Sequence, residues 1–255
     1  MKSLILTLAY NGAAYSGFAK QKEQDILTIQ GELERALATY FRHPTDTVCA
    51  GRTDAGVHAL GQVVSCELNE DELVSTSPER LIISLNALTP DDIVIKDARF
   101  GNPGFSARFD AKSREYRYRI VSGPVPPLFL KDFAWWRRGT LDINAMREAS
   151  SHLIGEHDFK SFCKAQSAEG KTTMRNVSEI DIYEEEQLGE SCIVIKVVGN
   201  AFLHSMVRTI VGTLVQVGAG NREPSWVADV LAACNREVAG ETAPACGLTF
   251  WKVRY

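Results

Sequence analysis

The sequence predicts an α+β fold, two layers of helix and sheet, in which the order β-α-β-β-α-β occurs twice along the chain. Three observations carry this. Apolar residues alternate with a period of two in short runs, and between those runs they recur at helical spacing. The same succession of patterns then starts again near residue 112. Finally, 255 residues that are 45% hydrophobic and 24% charged suffice for one large core or two smaller joined ones, and exclude disordered and collagen-like classes.

The opening MKSLILTLAYNG contains a short apolar run broken by Thr7, Tyr10 and Asn11, too short for a membrane span and with no small-residue cleavage site after it. Residues 3–10 therefore read as the first strand of a cytoplasmic protein. Residues 28–41 read as an amphipathic helix, with Ile29, Leu33, Ala36, Leu37, Tyr40 and Phe41 on one stripe. Strands follow at 47–50 and 62–68, connected by the segment around Asp54. Ser77 caps a helix with Pro78 at its first position, running to about Ala87, and residues 92–100 complete the half.

The second half repeats the order with a strand at 112–121, a helix at 141–153, strands at 175–183 and 192–198, a helix at 202–217 and a last strand at 248–254. An extra helix at 225–233 follows the turn GAGNREP, and GPVPP at 123–127 is a stiff loop. Two split β-α-β patterns predict two ferredoxin-like halves, residues 1–110 and 111–255, with sheets joined across a central cleft.

Net charge is −4, but its distribution is uneven. Between Arg99 and Arg138 there are nine basic residues and three acidic ones, while acids concentrate in ELNEDE at 67–72 and YEEEQ at 183–187. The basic segment is either a solvated strand edge or a face for a polyanion, since phosphate binding depends on local potential. Six scattered cysteines without a C-x-x-C pair read as buried reduced thiols, and five histidines lack ligand spacing. No protein-bound metal is expected.

Three segments carry candidate chemistry. In CAGRTDAGVHALGQVVSCEL, residues 49–68, Gly51 and Gly56 bracket Asp54, which makes it either a turn residue or a reagent at the end of two strands. Arg52, two residues away, lies on the same face if the chain is extended and favours a charged carboxylate. In NAFLHSMVRTIVGTLVQVG, residues 200–218, Arg208 sits on a narrow stripe of Ser205, Thr209, Gly212 and Gln216 in an otherwise apolar helix. A partly buried guanidinium calls for a carboxylate partner, either Asp54 or another acid. In FSARFDAKSREYRYRI, residues 105–120, alternation sets Tyr116 and Tyr118 on one face and Arg117 and Arg119 on the other, the pattern of a base-stacking strand or of ordinary core tyrosines.

Other motifs are weak. VGAGN follows a helix and lacks the third glycine of a dinucleotide fingerprint, and no phosphate loop, nucleophile elbow or kinase signature occurs. His58 and His204 fit hydrogen-bonded structural histidines better than acid-base catalysts.

Taken together, AGRTDAGVHA-x-GQVV, the YRY strand preceded by FSAR, the segment TTMRNV, the helix NAF-x-H-x-MVR-x-IVG and the closing GL resemble the TruA family of tRNA pseudouridine synthases, from about Tyr10 to Trp251. The resemblance implies a cofactor-free isomerase that converts uridine to pseudouridine at positions 38, 39 and 40 of the tRNA anticodon stem-loop by extruding the base. It implies Asp54 as the catalytic aspartate with Arg208 as its partner, and Tyr116, Arg52, His58 and Arg175 as substrate-binding residues. It also implies a homodimer, with one tRNA reaching across both subunits. The chain departs from the family pattern at Phe18, where tryptophan is common, and at Ala19, where a larger polar residue often stands. In CKAQSAEGKTTMRN, Lys164, Lys171 and Arg175 are the basic residues of an expected phosphate-contacting loop.

Two other classes compete. A non-catalytic RNA-binding protein of two ferredoxin-like modules explains the tyrosines and the basic segment but not a carboxylate in a glycine-bounded loop beside an arginine. A glycosidase or nucleosidase normally needs a second catalytic acid, and no paired acid stands out.

Overall fold

The computed structural model describes residues 2–21, 26–164, 170 and 172–255. It contains two compact units, one running up to Lys112 and including Phe250–Tyr255, the other Ser113–Thr249. Both are of the expected α+β kind. Among the described residues, no helix is long and apolar enough to cross a membrane.

The first unit contains β1 (Lys2–Tyr10), α1 (Ile29–Phe41), β2 (Val48–Cys49), β3 (His58–Leu68), α2 (Glu70–Ser75), α3 (Pro78–Leu88) and β4 (Ile93–Gly101). β1 is central and antiparallel to both neighbours, with Leu4 opposite Cys66 and Phe100, and Leu6 opposite Val64 and Ala98. β2 pairs with β3, so the order β4-β1-β3-β2 is that of a split β-α-β unit. Leu33, Leu37, Leu81 and Leu85, the inward stripes of α1 and α3, are fully buried. α1 starts as its sequence dictates, with the Thr28 hydroxyl accepting from the Gly31 N–H at 3.2 Å.

Three details differ from the expectation. β3 begins at His58, four residues early, which brings His58 onto the sheet. Ser77 occupies the cap position of α3, but its hydroxyl donates to the Glu79 carboxylate and leaves the helix N–H groups uncapped by it. The acidic stretch after β3 forms α2, closed by a capping box in which Asn69 and Glu72 satisfy each other's backbone N–H groups.

The second unit holds β5 (Ser113–Ser122), β6 (Trp135–Arg137), α4 (Ile143–Ser151), β7 (Gly155–Asp158), β8 (Met174–Gln187), β9 (Glu190–Gly199), α5 (Met206–Gly218) and α6 (Trp226–Ala233). The last strand, β10 (Leu248–Arg254), opens here with Leu248 and Thr249. β9 lies between β5 and β8 and is antiparallel to both. β8 turns into β9 through Leu188 (φ 53°) and Gly189 (φ 79°), two left-handed residues that match the twist of the hairpin. β6, parallel to β5, and β7, at the edge of β8, are too short to leave a periodic signal.

α5 starts at Met206, not 202, because residues 200–205 are spent on a loop that ends at Ser205 in the left-handed region, φ 59°. The segment that follows the GPVPP loop is fastened from outside: the Glu190 carboxylate accepts the backbone N–H groups of Leu128, Phe129 and Leu130, which outweigh its burial and draw its pKa down.

Candidate active site

The loop carrying Asp54 has no regular secondary structure from Arg52 to Asp54; Arg52 is exposed and Asp54 half-buried. Of the two bracketing glycines only Gly56 is left-handed, at φ 76°. The residues on either side of Asp54 are held firmly. Thr53 is buried, and its hydroxyl meets the Tyr10 hydroxyl at 2.8 Å. Burial drives the Tyr10 phenol well above its ordinary pKa, which keeps it protonated and neutral. Gln62, with no exposed surface, donates to the Gly51 carbonyl at 2.7 Å and so fixes the strand-side entry of the loop.

On its other side the loop is clamped by residues 10–18. The Phe18 N–H donates to the Thr53 carbonyl at 3.0 Å, the Gly56 N–H to the Tyr15 carbonyl at 3.2 Å, and the Gly12 N–H to Nδ1 of His58 at 3.1 Å. Glycine is needed at two of these positions for space. A Cβ on Gly12 would lie 2.0 Å from the Val57 carbonyl oxygen, and one on Gly17 would lie 2.9 Å from that of Thr53. Sequence reasoning missed this clamp. Its visible trace is the pair of glycines in NGAAYSGF, whose purpose needs a neighbour distant in sequence to become apparent.

His58 is 3% exposed, with Nδ1 accepting from the backbone, the setting of a hydrogen-bonded structural histidine. Phe18, the departure from the family pattern, is wholly buried and packs its ring 6.2 Å from that of Tyr10. It belongs to the core of the loop and leaves Lys20 and Gln21 as the polar residues after it. The neighbouring Cys49 thiol is pushed up to about 11 by burial, partly offset by Arg52 and Arg108.

In the second unit Tyr116 is buried edge-on against Phe202, with ring centroids 5.1 Å apart at 82°. Tyr118, on the same face, is a core residue whose hydroxyl donates to the Pro244 carbonyl at 2.8 Å. The β5 arginines turn inward: Arg114 donates to the Asn200 carbonyl, Arg117 pairs with Glu115 at 2.9 Å, and buried Arg119 reaches the Thr249 hydroxyl at 3.5 Å. The basic segment is therefore less of a solvated face than its charge count suggests. Arg99, Arg108, Lys112, Lys131 and Arg138 are its exposed members.

Arg175, on β8, is half-buried and donates through Nη1 to the carbonyls of Thr172 and Met174, and burial lowers its pKa. Its neighbour Asn176 donates its N–H to Oδ1 of Asn200 at 3.1 Å. Gly199 packs between the Asn176 carbonyl and the Phe202 ring, so Asn176, Asn200, Phe202 and Tyr116 form one connected group, with Arg175 beside it in the chain. Lys171 lies outside the described residues.

Arg208 stands half-buried on the polar stripe of α5, and its Nε donates to the Ala243 carbonyl at 2.7 Å. The stripe exists because residues 240–243 lie against it: Thr213 accepts the Gly240 N–H at 3.0 Å, and a Cβ on Gly212 would meet the Glu241 carbonyl oxygen at 1.8 Å. Thus Asp54, Arg52 and His58 share one loop of the first unit, whereas Tyr116, Arg175 and Arg208 belong to the second.

Comparison with known proteins agrees with these motifs. The family model described as tRNA pseudouridine synthase matches residues 7–110 and 149–255. The chain is 43% identical over 256 residues to tRNA pseudouridine synthase A of Brevibacillus brevis, covering all of both chains. It is 41% identical over 255 residues to the protein of that name from a Geobacillus species, covering 100% of this chain and 98% of the relative. With the one from Bacillus subtilis it shares 41% over 251 residues, covering 98% of this chain and 97% of the relative. The loop of Asp54, the Tyr116 strand and the Arg208 helix all fall inside the likeness to these relatives, and the chain belongs to the TruA family of tRNA pseudouridine synthases.

Proposed function

We propose that this protein isomerises uridine to pseudouridine at positions 38, 39 and 40 of the tRNA anticodon stem-loop, with Asp54 acting on the ribose of an extruded nucleotide. The observation that carries the reading is the half-buried Asp54 between the buried residues Thr53 and Val57, at the tip of a loop held by backbone hydrogen bonds on both sides. A binding module gains nothing from a rigid carboxylate aimed toward phosphates. A reagent does, because a near-attack geometry must be held in advance.

In the proposed reaction the C1′–N1 bond breaks, the uracil turns, and a C1′–C5 bond forms. The C5 proton is lost and N1 gains one, so atoms balance without a redox partner. Asp54 attacks C1′ or takes the C2′ proton; Arg208 and Arg52 stabilise its charge, and Tyr116 stacks on the freed uracil. Arg175 completes the substrate contacts, and His58, buried and accepting the Gly12 N–H, acts by holding the loop. In this reading residues 1–110 contribute the aspartate loop, residues 111–255 the tyrosine strand and arginine helix, and the enzyme works as a cytoplasmic homodimer.

The test is tritium release from unmodified tRNA carrying 5-tritiated uridine, with wild type beside Asp54→Ala and Arg208→Ala. Release by wild type alone, with tRNA binding retained in both variants, is the expected result. Binding without release by any of the three would favour an RNA-binding protein, and free uracil would favour a nucleosidase.

A further inference from the structure

A turn at residues 106–110 presents side chains that the catalytic reading leaves unused. The turn is closed on itself: the Ser106 N–H donates to the Asp110 carboxylate at 2.8 Å, the Asp110 N–H to the Ser106 carbonyl at 3.1 Å, and the Phe109 N–H to the Ser106 hydroxyl at 3.4 Å. It is also bolted to the first unit through Ala107, which is fully buried. The Ala107 N–H donates to the Ser65 hydroxyl on β3 at 3.0 Å, and its carbonyl accepts from the Tyr255 hydroxyl at 2.9 Å. The Phe105 and Tyr255 rings pack beside it, 5.0 Å apart.

At the tip of this rigid turn Phe109 is 80% exposed, more than any other phenylalanine among the described residues. The Arg108 guanidinium lies 5.4 Å from the centre of its ring. The fold makes little use of that ring, and a turn so well fastened holds it in one place. An exposed aromatic ring carried on a fixed backbone beside an exposed guanidinium matches an unpaired nucleotide. The base stacks on the ring or guanidinium plane while its phosphate meets the charge. An apolar peptide would not call for a guanidinium beside the ring, and a paired helix would offer no base face.

We propose that Phe109 and Arg108 form a second nucleotide subsite, which stacks and neutralises an unpaired nucleotide of the tRNA other than the one on which Asp54 acts. This rests on the tRNA reading above and deepens it.

The test uses the full-length protein with unmodified tRNA transcript, measuring both equilibrium binding and the kcat and KM of tritium release. Phe109→Ala should weaken binding and raise KM about tenfold, with kcat at saturation within about twofold of wild type. Phe109→Tyr, which keeps a stacking face, should restore most of the loss. Arg108→Gln should make the dependence of log affinity on log salt shallower by about 0.7, one phosphate contact to a single strand. Thermal unfolding should be unchanged in all three, since these side chains are exposed. Wild-type affinity in Phe109→Ala, or a Phe109→Tyr protein as weak as Phe109→Ala, would overturn the subsite. Asp54→Ala run in parallel separates the two readings. If it alone abolishes release while Phe109→Ala behaves as wild type, only the subsite fails. If wild type releases no tritium but Phe109→Ala still weakens tRNA binding, the catalytic reading fails and the subsite stands.

Discussion

Gly12→Ala is the sharpest probe of the clamp around Asp54. A methyl group at position 12 would lie 2.0 Å from the Val57 carbonyl oxygen and 2.7 Å from its carbon, whereas ordinary contact begins at 3.4 Å. The obstacle is backbone, which cannot rotate aside, so residues 12 and 57 must separate by about 1 Å or more. That separation also stretches the Gly12 N–H bond to His58, now 3.1 Å, and shifts the loop three residues after Asp54. Misplacing a reacting group by about 1 Å lowers turnover on the order of a hundredfold. Turnover of Gly12→Ala should therefore fall by about that factor in the tritium-release assay, with tRNA affinity little changed. The control is Gly220→Ala, at φ 73° with nothing within 4 Å of the added carbon, which should lose about 1 kcal/mol of stability and no turnover. A folded Gly12→Ala protein with wild-type kcat would refute the idea that this contact positions Asp54.

Other outcomes follow from the same structure. His58→Asn retains an oxygen able to accept the Gly12 N–H and should keep turnover within about threefold, while His58→Leu should lose about tenfold in kcat with tRNA affinity intact. Equal losses of affinity in both would make His58 a direct substrate contact. Leu188, 74% exposed and left-handed at φ 53° in the β8–β9 hairpin, is a poor residue for its turn. Leu188→Asn should stabilise the fold by about 1 kcal/mol, a rise of about 2–4 °C in Tm; an unchanged or lower Tm would contradict the turn assignment. The Cys49 and Cys66 thiols are pushed up to about 11 and about 12 by burial, so the folded chain keeps protons that the unfolded chain releases above its ordinary thiol pKa of about 8.5. Their contribution is complete below that value and is lost as pH rises through the folded values, so Tm should decline between about pH 9 and 12 and less steeply in a Cys49→Ser, Cys66→Ser double variant. A Tm flat across that window would show that these thiols do not carry the shift.

Element order was legible because its signals are local: alternation in Leu4, Leu6 and Leu8, the Thr28 cap, and the apolar stripe of α5. β6 and β7 were not, because strands of 3 and 4 residues complete too little of a period to register. Asp54, Arg208 and Tyr116 stood out because each violates its surroundings: an acid among glycines, a cation on an apolar helix, an aromatic beside arginines. What surrounds them was hidden. Gly12 reads as a turn residue until Val57 is seen against it, and Gly212 as a helix weakness until Glu241 is. Alternation put Arg117 and Arg119 outward from Tyr116, and they are, but that face of β5 is covered too, so the cations are consumed within the unit. Sequence period reports which side a residue takes; it does not report whether that side meets water.

The composition of the first unit carries a consequence for synthesis. Its residues end at Lys112 and resume only at Phe250, after the entire second unit has been made. Trp251 lies against Gly61 of β3, and Tyr255 grips Ala107, so these contacts cannot form while the chain is still emerging. The half that bears Asp54 begins synthesis first and is finished last. Until then β3 lacks the strand segment that covers it, an open edge on which a nascent chain is exposed to mispairing. A ribosome that stops at residue 249 therefore yields a product whose second unit is whole while its aspartate-bearing half still lacks Phe250–Tyr255.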